Sequence, residues 1–306
     1  MLNLRHAEPL SEHTSYHIGG PVSHFLEPEN TQELASGLEL AAREGLPVLL
    51  LGGGTNLLVG SGGFRAMVIH YPPKGEFARL QALDPEGINW WLGAGIALPH
   101  LLNTLASQGR TGLTDFAGIP GTLGGAVVMN AGSPSRGFGD FVRRVKGLDR
   151  QGREVEINPP DLGFTYRHSG LDELIITGVE AVFPESGEPE EIRAQIRESA
   201  RKKAEKQPVA QPSAGCVFRN PPGKSAGQLL DQAGCKGMRQ GDAEVSSLHA
   251  NFIVNRGAAS SLEVTTLIGK MRQAVKKRFA LDLEVEIRVW GLAEKELRLL
   301  KGDGNG

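Results

Sequence analysis

The stretch 212–221, PSAGCVFRNP, holds one thiol in a stiff frame. A proline at each end fixes φ and restricts the residue before it, while Gly215 permits positive φ or a close approach of the backbone to a ligand. Cys216 inside that frame is a candidate proton source, since a free thiol titrates near ~8.5. Alone it reads as readily as a small buried hydrophobe, because free cysteine is among the most buried residue types. The only other cysteine is Cys235. Two cysteines at this spacing make neither a disulfide framework nor a zinc site, so no metal is expected and a reducing cytoplasm is the natural compartment.

Glycine marks the second candidate chemistry. The chain has 41 glycines in 306 residues, well above the average of ~7%, and they cluster without a repeating period. LGGGTNLLV (51–59) places Gly52, Gly53, Gly54, Thr55 and Asn56 directly after an apolar run, where backbone amides can cradle phosphates. It lacks the lysine of a Walker loop and does not match G-x-G-x-x-G. AGIPGTLGGAVVMNAG (117–132) adds Gly118, Ile119, Pro120, Gly121, Gly124, Gly125, Ala126 and the side-chain amide of Asn130. A tight turn would explain one such loop. Two predict a large, flat, phosphate-bearing ligand embedded between subdomains.

These residues need elements to carry them. The spacing predicts a helix over 31–44, capped by Thr31, with Leu34, Leu38 and Ala41/Ala42 on one face. LPVLLL reads as a buried strand feeding the first glycine loop, and AMVIHY as another strand. NWWLGAG is a strand and turn leading into a helix near Pro99. RRVKGLDRQGREVEI is a hairpin turning at Arg150-Gln151-Gly152, and LIITGVEAVF a further strand. From Glu188 glycine nearly vanishes, and EPEEIRAQIRESARKKAEKQP reads as a helix with acids early and bases late. A later helix carries the stripe Val264, Leu267, Ile268, Met271 and Val275. LDLEVEIRVWG alternates strictly, predicting one continuous strand with Glu284, Glu286 and Arg288 on its polar face.

The bulk properties narrow the class. Hydrophobic residues make up 40% and the formal net charge is −2, which favours no nucleic acid or charged membrane as partner. The N-terminal MLNLRHAEPL carries no secretory h-region, and no apolar run approaches the ~20 residues of a membrane span.

Taken in order, TSYHIGGP, LGGGTNLLV, GIPGTLGGAVVMNAG, YRHS, PSAGCVFRNP, DQAGCKG, HANFIVN and LEVEIRVWG resemble the successive motifs of the UDP-N-acetylenolpyruvoylglucosamine reductases. The resemblance runs from about Thr14 to Gly291, and the short interval between YRHS and PSAG is similar to the shorter form of that family. It implies an α+β chain: an FAD-binding fold of the vanillyl-alcohol-oxidase type in two subdomains (1–65 and 66–187), a C-terminal α+β substrate domain (188–295) and a flexible tail (296–306). The implied reaction takes hydride from NADPH through non-covalent FAD to UDP-N-acetylglucosamine enolpyruvate, in a monomer.

The same resemblance assigns roles. Cys216 stands where the family usually has a serine, its proton donor. Arg167 in FTYRHS is the charge partner of the substrate carboxylate, suited by its planar, permanently charged fork. Counting back from Gly291 puts Glu286 on the family's catalytic glutamate. Tyr166, Asn220, Lys236 and His249 are the expected substrate contacts. The glycine loops alone would equally serve another FAD-dependent oxidase or dehydrogenase of 2-hydroxy acids or sugars.

Overall fold

The computed structural model describes residues 2–133, 136–158 and 162–301. The chain forms two compact units. One comprises Met1–His6, His24–Gly53 and Arg65–Lys202, the other Ala7–Ser23, Gly54–Phe64 and Lys203–Gly306. The partition differs from the expected 1–65, 66–187 and 188–295, because two early excursions, 7–23 and 54–64, fold with the C-terminal part. The late boundary falls at Lys202/Lys203, inside the helix Pro189–Lys206 rather than near 187.

The first unit holds two cores. The smaller lies under a four-stranded sheet ordered Leu4–Pro9, Pro21–Leu26, Phe64–His70, Val48–Leu51, three of whose strands run on into the other unit. The helix Thr31–Arg43 buries Leu34, Leu38 and Ala41 there, with Leu26, Met67 and Ile69. Ala42, expected on that face, is exposed, since one residue further is ~100° round the helix. The cap is Asn30, not Thr31: Asn30 Oδ1 accepts the Glu33 amide at 2.9 Å, while the Thr31 amide donates to Glu76.

The larger core sits against a five-stranded antiparallel sheet ordered Leu80–Ala82, Asn89–Gly93, Ile175–Val182, Val142–Leu148, Glu154–Ile157. The helix Leu98–Ser107, opened by Pro99, contributes Leu101 and Leu105, and Phe116, Phe138, Phe141 and Phe183 close the core. The expected hairpin is present: Leu148 pairs with Glu154 and Gly152 takes φ +79° in the turn, a region glycine enters without strain.

The second unit is built on the helix Ser261–Phe279, whose stripe Val264, Leu267, Ile268, Met271 and Val275 is fully buried. Ser260 and Glu263 form a capping box that satisfies its first amides. Around it lie the helix Ala226–Gln232, a small sheet of Arg239–Gln240, Ala243–Val245 and Ile253–Asn255, and a parallel pair of Arg288–Trp290 with Leu57–Val59.

Two expectations fail in this unit. The alternating segment 281–291 is not one strand; only Arg288–Trp290 is regular, and the pairing changes partner at Ile287. The tail expected over 296–306 begins as a helix, Glu294–Lys301, packed against Ser261–Phe279; residues 302–306 lie outside the described residues. No helix among the described residues is long and apolar enough to cross a membrane.

Candidate flavin cradle and reduction site

In the first unit the two glycine segments meet backbone to backbone. A Cβ on Gly53 would lie 2.7 Å from Gly121 Cα, and one on Gly52 would lie 2.7 Å from Thr122 Oγ1. Part of the glycine bias therefore serves packing within the protein. The rest faces outward: Gly118 and Gly125 are exposed, as is Pro120 between them, and a Cβ on Gly125 would meet nothing closer than 3.7 Å. Gly118 and Gly121 take φ +70° and +113°. Ile119 packs against the larger core, and Ala126 is buried in it beside Leu123 and Val127. A rim of side-chain-free backbone on a rigid core fits a large flat dinucleotide such as FAD.

The chain leaves this unit at Gly53, so Gly54, Thr55 and Asn56 belong to the second. There Ser15 staples them to the cysteine loop. Its amide donates to Gly54 O at 3.1 Å, its hydroxyl lies 2.6 Å from Ser213 O, and its carbonyl accepts the Ser213 amide at 3.1 Å. Within TSYHIGGP nothing in the sequence singles out Ser15. Tyr16, its neighbour, is fully buried with its hydroxyl lacking a protein partner, and burial pushes its pKa up.

Cys216 is half-buried and follows Gly215 at φ +77°. Next to it, Phe218 faces Val285 in an antiparallel bridge, with the Glu286 amide donating to Val217 O at 2.7 Å and the Arg219 amide to Glu284 O at 2.9 Å. Phe218's own amide and carbonyl point the other way in such a pair. The side chain of buried Asn251 takes both, accepting from Phe218 N at 3.0 Å and donating to Phe218 O at 2.8 Å. Within HANFIVN nothing in the sequence marks Asn251 for this task. Two residues beyond Glu286, the Arg288 amide donates to Asn56 O at 3.0 Å. The half-buried Glu286 thus sits where one segment passes from the cysteine loop to the glycine loop.

The expected substrate residues of this unit gather on the helix Ala226–Gln232. Asn220 Oδ1 accepts the Ala226 amide at 2.9 Å, and Lys236 Nζ pairs with Asp231 at 2.7 Å. The His249 ring lies over Gly227, where an added Cβ would come within 2.8 Å of it. Burial first, and then the charge of Lys236, hold the His249 pKa below its usual value. Cys235 is buried, and its thiol is pushed up to about 11.

Arg167 belongs to the first unit. Thr165 and His168 exchange both backbone hydrogen bonds, at 2.9 and 3.1 Å, leaving Tyr166 and Arg167 as a two-residue turn. Arg167 has φ +58°, a left-handed conformation costing an L side chain roughly 1–2 kcal/mol. Its guanidinium lies over the Tyr166 ring, 5.3 Å from the centroid, and Tyr166 is 46% exposed. Asn130, expected to serve the flavin, has its amide engaged at both ends with backbone of this unit.

Fold and cradle together define a flavoprotein oxidoreductase with an FAD-binding fold of the vanillyl-alcohol-oxidase type: residues 22–158 match the FAD binding domain family. Residues 207–290 match the family described as UDP-N-acetylenolpyruvoylglucosamine reductase, C-terminal domain. The chain is 42% identical over 286 residues to the UDP-N-acetylenolpyruvoylglucosamine reductase of Moorella thermoacetica, covering 93% of this chain and 92% of the other. It is 39% identical to that of Rubrobacter xylanophilus, covering 93% and 94%. The crystal structure of the Thermus caldophilus enzyme of the same name superposes with TM-score 0.78 at 35% identity, over 95% of this chain and 99% of that one. The protein belongs to the UDP-N-acetylenolpyruvoylglucosamine reductase family.

Proposed function

We propose that the protein reduces UDP-N-acetylglucosamine enolpyruvate to UDP-N-acetylmuramate, a peptidoglycan precursor, with NADPH as reductant, acting as a cytoplasmic monomer. FAD, when bound, supplies the hydride carrier between the nicotinamide and C3 of the enolpyruvyl group. The residues of the glycine rim, Gly52, Gly53, Gly118, Ile119, Pro120, Gly121, Gly124 and Gly125, would hold it, with Gly54, Thr55 and Asn56 continuing the first loop.

The chain's own side chains deal with what hydride addition leaves behind. Negative charge develops at C2 and spreads into the adjacent carboxylate. Arg167 balances that charge with a planar fork that matches a carboxylate. Glu286 hydrogen-bonds the enol-like form. The Cys216 thiol protonates C2, a thiol being a readier proton donor than a serine hydroxyl. The UDP-sugar contacts are Asn220, Lys236 and His249 in one unit and Tyr166 in the other.

The observation that carries this reading is the Glu286–Val217 backbone pairing, which sets the glutamate segment beside the cysteine loop in one unit. The test is anaerobic: reduce the flavin with NADPH, then add the enolpyruvyl substrate. Rapid return of the oxidised flavin spectrum is expected. Flavin that stays reduced after the substrate is added, and reoxidises only once oxygen is admitted, would overturn the proposal.

A further inference from the structure

We propose that Asn130 is a positioning residue for Arg167, setting the guanidinium that meets the substrate carboxylate instead of binding flavin. The inference rests on the role given to Arg167 above.

The Tyr166–Arg167 turn is short and contains a non-glycine residue at φ +58°, so neighbouring structure must hold it. Asn130 does so from outside the turn. Its Nδ2 donates to Thr165 O at 2.9 Å, while its Oδ1 accepts from Gly139 N at 2.9 Å. One partner is an acceptor and the other a donor, which fixes the orientation of the amide. Asn130 sits at φ +40°, a region asparagine tolerates better than most residues. Room for its side chain comes from Gly137, where a Cβ would fall 2.3 Å from Asn130 Oδ1.

Two residues on, the same segment reaches the guanidinium itself: Arg167 Nη1 lies 3.4 Å from Gly132 O. Asn130–Gly132 therefore addresses both the backbone of the turn and the head of its arginine. This segment directly follows the helix Leu123–Val128, which carries Gly124 and Gly125 of the glycine rim. The piece of chain that ends the flavin loop is the piece that sets the arginine.

Asn130→Asp tests this in the flavin-loaded enzyme. It preserves size, tolerance of positive φ and the bond from Gly139, but sets a carboxylate oxygen against Thr165 O. By stopped flow, reduction by NADPH is expected to stay within about twofold of the parent, with an unchanged flavin spectrum. Reoxidation by the enolpyruvyl substrate is expected to slow about tenfold and its KM to rise about tenfold, the scale of one lost hydrogen bond to a held group. In an Arg167→Ala background the same substitution is expected to add no more than about twofold, because coupled residues are not additive. Asn130→Gly, which keeps the backbone freedom and deletes both bonds, serves the same cycle if the aspartate variant does not fold.

Losses that multiply in the double variant would overturn the inference, as would a fall in flavin retention with normal reoxidation. If Arg167→Ala alone is reoxidised normally, the assignment of Arg167 fails and this inference falls with it. That outcome is read from the single variant, so the two failures are distinct.

Discussion

The amide of Glu286 donates to the carbonyl of Val217 at 2.7 Å, so the glutamate is registered one residue away from Cys216 by main chain rather than by side chains. Backbone pairing is insensitive to what either side chain does. The carboxyl and the thiol can then be substituted without removing the bond that registers their segments, which makes their variants readable as chemistry.

Cys216→Ala is accordingly expected to be reduced by NADPH at the parent rate and to be reoxidised by substrate at least about 10²-fold more slowly, the lower end of what a positioned general acid supplies. Cys216→Ser is expected to restore much of that rate. Single-turnover reoxidation measures both. Normal turnover of the alanine variant would mean the proton comes from another group.

Asn251 is expected to matter for stability rather than chemistry. Asn251→Leu leaves the amide and carbonyl of buried Phe218 without partners, and each orphan costs about 1–3 kcal/mol. Chemical denaturation is expected to show a loss of about 2 kcal/mol or more, whereas an unchanged midpoint would show that the pair is satisfied otherwise.

Much of this was legible where a period reveals it. The stripe on Ser261–Phe279 repeats at helical spacing and is wholly buried. What pairing partners decide was not. Alternation in LDLEVEIRVWG cannot tell that residues 284–286 pair near Val217 while 288–290 pair with Leu57–Val59, so the break at Ile287 was invisible. Nor does composition mark 7–23 and 54–64 as parts of the second unit, since their partners lie some two hundred residues away, as Ser15 and Ser213 do. Motif resemblance singles out Cys216 and Glu286, whereas Ser15 and Asn251, which bond to the backbone of the cysteine loop, act through contacts that no residue type advertises.

His249 gives the fold a pH dependence. Its pKa lies below the usual value because burial disfavours the charged ring and Lys236 repels it. The unfolded chain therefore binds the proton more readily, and stability rises with pH across the interval between the two values. His249→Gln removes this. The parent is expected to lose thermal stability relative to that variant as pH falls below about 6.5, the ordinary histidine value, and to match its slope above. Parallel melting curves from pH 7.5 to 5 would refute the assignment.

The glycine rim makes the last prediction because two of its features pull in different directions. If Gly53 served only as a contact for flavin phosphate, Gly53→Ala would weaken flavin binding and leave the apoprotein intact. The added Cβ would fall 2.7 Å from Gly121 Cα, however, and backbone on both sides cannot swing away as a side chain would. Overpacking of this kind typically costs 1–3 kcal/mol. Gly53→Ala is therefore expected to lower the stability of the flavin-free protein by about that much and to weaken flavin retention with it. Gly62→Ala, where nothing lies within 4 Å, is expected to change stability by less than about 0.5 kcal/mol. Equal melting temperatures for the two apoproteins would show that the glycine loops do not lean on each other, and that the cradle takes its shape only around its ligand.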